Sequence, residues 1–78
     1  MLLEIITPET KVFEGEVKSV KLPGIDGKFE ILNNHAPIIS TLSAGQIRIV
    51  DNNDERKFFN INGGVIEMQN NNIIVLAD

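Results

Sequence analysis

Cysteine is absent from this chain, which removes disulfide staples and every thiolate metal site at once. Tryptophan and tyrosine are absent too, and four phenylalanines make no platform on which nucleic-acid bases could stack. Basic charge is scarce. Seven lysines and arginines stand against eleven acids, a net charge of −4 that repels phosphate backbones. Nucleic-acid binding is thereby excluded as a main function. No apolar run approaches the roughly 20 residues that a membrane-spanning helix needs, so direct membrane insertion is not expected. The opening MLLEIITPE has neither a basic region nor a small-residue cleavage site and is not expected to act as a signal peptide. Lack of cysteine fits a reducing compartment, and the cytoplasm is the expected location.

The 78 residues fit a single domain, 1–78, and a domain of this size buries roughly 60–65% of the surface its unfolded chain exposes. Small domains gain support from disulfides, a metal or a partner. With no cysteine, a partner is the support the sequence points to. Apolar residues recur at spacing two or in short β-branched runs, never with a sustained helical period. LLEIIT (2–7) reads as a strand ended by Thr7-Pro8-Glu9. KVF (11–13) resumes, Gly15 suggests a bulge or tight bend, and EVKSVKL (16–22) alternates with Val20 and Leu22 on one face. Pro23-Gly24 and Asp26-Gly27 bracket a turn, since proline presets φ and glycine supplies positive φ. KFEI (28–31) places Phe29 and Ile31 inward, and the NNHAP loop leads to IISTL (38–42). QIRIV (46–50) points Ile47 and Ile49 inward and Arg48 outward, DNNDE turns, and RKFFNI (56–61) returns. VIEMQ (65–69) and IIVL (73–76), separated by NNN, close the chain. The spacing predicts an all-β fold: a small two-layer β-sandwich of about eight to ten short, mostly antiparallel strands.

His35 is the only histidine. Nucleophilic catalysis would pair it with a serine and an orienting carboxylate, but Ser19, Ser40 and Ser43 sit in no nucleophile-elbow context. Zinc would need further Cys or His ligands, and there are none. DNNDE has oxygen ligands for calcium, yet the EF-hand pattern wants glycine at the sixth place and glutamate at the twelfth, where Arg56 and Asn62 stand. Gly24 and Gly27 read as turn residues and not as a phosphate cradle, because no lysine-serine pair or helix start follows. Glu14 and Glu16 read as a solvated strand face. No catalytic residue, cofactor site or metal site is assigned. The apolar residues that alternation leaves outside carry more: Ala36, Pro37, Ile38 and Ile39 follow a loop, and Phe58 and Phe59 occupy both faces of one strand. The residues describe a binding or structural module.

One ordered series of motifs is more specific. Thr7-Pro8-Glu9 is followed by Val12 to Val17 (Val-Phe-x-Gly-x-Val), Leu22 to Phe29 (Leu-Pro-Gly-x-x-Gly-x-Phe), His35 to Pro37 and Gly45 to Ile49. Gly63 to Gln69 and Val75 to Asp78 complete it. In this series the chain closely resembles the N-terminal β-sandwich of the epsilon subunit of bacterial F-type ATP synthase. The resemblance implies a non-catalytic part of the rotor's central stalk, linking the gamma subunit to the c-ring and helping couple ion-driven rotation to ATP synthesis. It also implies peripheral attachment at the cytoplasmic face of the bacterial inner membrane.

Carried over residue by residue, the family's contact loop toward gamma and the polar loops of the c-ring falls on His35, Ala36, Pro37 and Ile38. Thr7 lies where the family approaches gamma. Lys28 occupies a ring-facing position where many members carry an acid, so its partner on the ring would need a different charge. Asn33 and Asn34 stand where a Pro-Gly pair is common. Many relatives continue past the Val-Leu-Ala-Asp stretch into two inhibitory helices, and a naturally short subunit without them is the expectation. The alternative is a free-standing β-sandwich adaptor or ligand-binding module, which predicts a concave pocket with convergent polar groups.

Overall fold

The alternating pattern becomes eight strands in a computed structural model that describes residues 1–78. They are β1 (Leu2–Ile6), β2 (Lys11–Gly24), β3 (Gly27–Leu32), β4 (Ile38–Leu42), β5 (Gly45–Asp51), β6 (Arg56–Ile61), β7 (Gly64–Gln69) and β8 (Asn72–Ala77). There is no helix. One layer holds β1, β8, β7 and β4, and the other holds β3, β5 and β6. The strand β2 belongs to both. Its first part pairs with β1 (Leu2 opposite Glu16, Ile5 opposite Phe13), and its second part pairs with β3 and β5 (Val20 opposite Ile31 and Ile49). Its last residue, Gly24, reaches Leu42 of β4. Every pairing is antiparallel except β1 with β8.

The expected sandwich is present, but β2 is one strand of 14 residues where the sequence suggested two short ones. Gly15 does not interrupt it. Gly15 pairs regularly with Leu3, and a Cβ there would come within 3.3 Å of the Phe13 ring, so the missing side chain makes room for an aromatic. The irregularities lie elsewhere: the registers skip Val12 opposite Ile5-Ile6, and Lys18 opposite Val50-Asp51. Bulges increase local twist and let a strand bend, which carries β2 from one layer into the other.

Sixteen buried side chains form one core between the layers. Leu3 and Ile5 of β1, Ile66 and Met68 of β7 and Ile73 and Val75 of β8 face Val20 and Leu22 of β2 and Ile47 and Ile49 of β5. Phe13 and Phe59 close one margin with ring centroids 5.5 Å apart. The turns follow from their residues. Asn70 and Asn71 both take positive φ (54° and 61°) between Gln69 and its partner Asn72, the two-residue hairpin geometry that asparagine tolerates. In the β5–β6 turn, Asp51 Oδ1 accepts hydrogen bonds from the amides of Asn53 (2.8 Å) and Glu55 (3.0 Å). That oxygen closes the hairpin turn through its own backbone amides, the turn that the composition of DNNDE suggested.

Candidate docking surfaces

The strand β3 ends in one layer and β4 begins in the other, so residues 33–37 must cross one end of the sandwich. Three contacts hold this crossing. Asn33 Oδ1 accepts from the Met1 ammonium (2.7 Å), the Asn34 amide donates to Asn71 Oδ1 (2.9 Å), and the His35 amide donates to Leu32 O (3.2 Å). Asn34 takes φ 63°, a left-handed turn that asparagine adopts at little cost. The two asparagines thus preset the loop by side-chain bonding and turn geometry. His35, Ala36 and Pro37 are left exposed, while Ile38 is half-buried against the core. The His35 ring lies on its own loop, with Nδ1 2.7 Å from Ala36 O. It is a surface residue.

Thr7 and Lys28 lie at the opposite end. Thr7 follows the last residue of β1, and its hydroxyl accepts from the Thr10 amide (3.2 Å) to shape the β1–β2 turn. Lys28 stands beside the β2–β3 turn opposite Pro23. A ladder runs between them through Leu76, Ala77–Gly64, Gly64–Leu42, Leu42–Gly24 and Gly24–Gly27. Lys28 and Asn33 are five residues apart along one strand direction, about 16 Å. The candidate residues therefore form two groups: 33–38 together at one end, Thr7 and Lys28 apart from each other at the other.

Between the ends, the outer face of the β4–β7–β8 layer carries an apolar patch around the exposed Glu67. Ile39, Val65, Ile74 and Leu76 are exposed on it, with Ile39 75% exposed, around a hollow of about 240 Å³. The register explains the grouping, since Leu76 pairs with Val65, and Glu67 lies between Ile39 and Ile74. Alternation had pointed to Ile39. It could not find the others, because strands flanked by IIVL-type runs do not show which residue faces out. The outer face of the second layer bears Phe58, 53% exposed, as the paired phenylalanines suggested, while Phe59 packs inward. Beside Phe58 a second hollow, about 510 Å³, is lined by Lys21, Lys28, Arg48 and Arg56. This clustering of cations was missed.

The family description for the ATP synthase delta/epsilon chain, beta-sandwich domain, matches residues 1–78. The chain belongs to that family. The ATP synthase epsilon chain of Campylobacter curvus is 45% identical over 76 residues, covering 97% of this chain and 59% of that protein. The epsilon chain of Chlorobium limicola is 40% identical over 76 residues, covering 97% of this chain and 86% of its own. The chain thus spans little more than half of one family member and most of another. Among solved structures, a chain in the cryo-EM structure of Euglena gracilis mitochondrial ATP synthase (OSCP/F1/c-ring, rotational state 1) superposes with a TM-score of 0.93. It shares 14% identity, over 99% of this chain and 49% of that one. A chain of the Tetrahymena thermophila mitochondrial ATP synthase central stalk and c-ring gives 0.79, at 17% identity over 99% of this chain and 62% of that one. At such identities the likeness shows the fold alone.

Proposed function

We propose that this chain is a non-catalytic central-stalk subunit of a bacterial F-type ATP synthase. It sits at the cytoplasmic face of the inner membrane, between the gamma subunit and the polar loops of the c-ring. The observation that carries this reading is the family match across the whole of residues 1–78. The surface supports it: a loop bearing His35, Ala36 and Pro37 crosses one end, Thr7 and Lys28 stand at the other, and an apolar stripe lies between. A body held at more than one place needs contact sites on more than one side.

Gamma binds the apolar stripe and the adjoining His35 loop, because four exposed aliphatic residues on one sheet face give the water-excluding centre that a stable interface requires. An ordinary interface takes about 800 Å² from each partner, roughly a sixth of this chain's 4656 Å². Co-expression with the gamma subunit, followed by affinity capture at moderate salt, tests the proposal. A stoichiometric complex is expected, and elution of the chain alone would overturn the assignment. The adaptor reading gains one specific feature, the cation-lined hollow beside Phe58.

A further inference from the structure

Beyond the gamma and c-ring contacts proposed above, with which it shares only Lys28, we propose that the outer face of β3, β2, β5 and β6 docks an extended acidic polypeptide segment. Four cations and one exposed aromatic would receive it. The registers define the face. Glu30, Lys21, Arg48 and Phe58 form one row across the four strands, Leu32, Ser19, Val50 and Arg56 the next, and Lys28 stands opposite Pro23 in the third. Each strand contributes one cation: Lys28 from β3, Lys21 from β2, Arg48 from β5 and Arg56 from β6. In a chain of net charge −4, this face holds four of seven basic residues, and Glu30 is the only acid among its paired outward positions.

Internal pairing does not account for the cluster. Lys21, Lys28 and Arg56 make no ion pair, whereas Lys11 and Lys18 each make at least one. Arg48 bonds Glu30 and covers the Ser19 hydroxyl at 3.4 Å, but its buried Nε has no acceptor within the chain. Lys21 and Arg48 are directly opposite, a juxtaposition of like charges that disfavours the sheet on its own. An anionic partner relieves it.

The layout selects the kind of anion. Strand spacing and rise put the four Cα atoms on a diagonal with steps of about 8, 5 and 8 Å. The line runs on the order of 20 Å from Lys28 to Arg56. One phosphate spans a single step of this line. A segment of about six extended residues spans all of it, with carboxylates on alternate residues about 6.6 Å apart. Phe58, half-exposed between Arg48 and the edge of the sheet, would take an apolar residue of the same segment.

The test is titration of the 15N-labelled chain with a capped hexapeptide of four glutamates and two leucines. Amide shifts confined to Lys21, Lys28, Arg48, Arg56 and Phe58 are expected, weakening as salt rises through the Debye range. Lys28→Glu and Arg56→Glu, both exposed and unpaired, should each weaken binding about fivefold. Lys57→Glu carries the same charge change on the inward side of β6, near the Phe13 ring, and should leave binding unchanged. Retained dispersion of the remaining amides shows that each variant is folded. Four results would each overturn the proposal. They are no shift at millimolar peptide, equal shifts from a lysine peptide or from inorganic phosphate, dilution-dependent shifts showing that a second copy covers the face, and binding to anionic vesicles but not to the peptide.

Discussion

Replacing Ile39 and Leu76 together by threonine separates a docking stripe from a structural one. Both side chains are already largely in water, at 75% and 52% exposure, so the isolated domain loses little when they are shortened. Threonine is β-branched, as Ile39 is and Leu76 is not, and suits a strand position at both. Full burial of an isoleucine or leucine is worth about 1.5–3 kcal/mol. A partner that covers the exposed three quarters of Ile39 gains about 1–2 kcal/mol from it, and somewhat less from Leu76. Threonine keeps one methyl group and recovers roughly half, leaving a loss of about 0.5–1 kcal/mol at each site. The double variant should therefore bind the gamma subunit about tenfold more weakly, measured by titration calorimetry. The melting temperature of the free domain should move by less than about 5 °C. An affinity within twofold of the unaltered chain would refute the assignment of the stripe to gamma. A fall of more than about 10 °C would show instead that these residues hold the fold.

Two further outcomes test the fold itself. Gly64 has φ +150°, and a Cβ there would stand 2.2 Å from Leu76 O and 3.0 Å from Ala77 Cα, backbone atoms of a paired strand that cannot swing aside. Gly64→Ala should cost at least about 3 kcal/mol in chemical denaturation, a large part of the roughly 4–12 kcal/mol expected for this length; a loss below about 1 kcal/mol would contradict the packing described. Lys11 has its pKa raised above 10.5, first by its hydrogen bond to Glu14 and then by that to Glu4. A base with a raised folded pKa stabilises the fold at and below its unfolded value and loses that effect as pH climbs through the folded one. The charge-dependent part of the stability difference between the native chain and Lys11→Met should be constant through neutral pH, begin to fall near the ordinary lysine value and be lost only above the raised one. A difference that changes between pH 6 and 9 would refute this assignment.

Much of the fold was legible because one side of nearly every strand is buried. Ile47 and Ile49 on β5, and Val20 and Leu22 on β2, faced inward as alternation required, and a slipped register would have exposed them all. Gly15 misled because glycine is depleted in strands, and its reason for being there, the Phe13 ring above it, is a packing fact. The parallel pairing of β1 with β8 joins the two ends of the chain and leaves no local signature. The surfaces divide the same way. The loop at His35 was readable as a motif, and its asparagine bonds to Met1 and Asn71 follow from tertiary placement. The diagonal of cations was invisible, since Lys21, Lys28, Arg48 and Arg56 line up only once four strands have fixed registers.

The double membership of β2 has a mechanical consequence. A pair of sheets joined only by loops can slide or open like the covers of a book. Here a single covalent ribbon is stitched by hydrogen bonds into both covers, so neither can peel away without tearing the other's seams. A push delivered at the Thr7 end enters β2 at Lys11, runs along its backbone to the far end near Val17 and returns through the second layer to Gly24, rather than passing through side chains that can yield. The domain should therefore lose its amide protection all at once, and a twisting load should turn it as one piece.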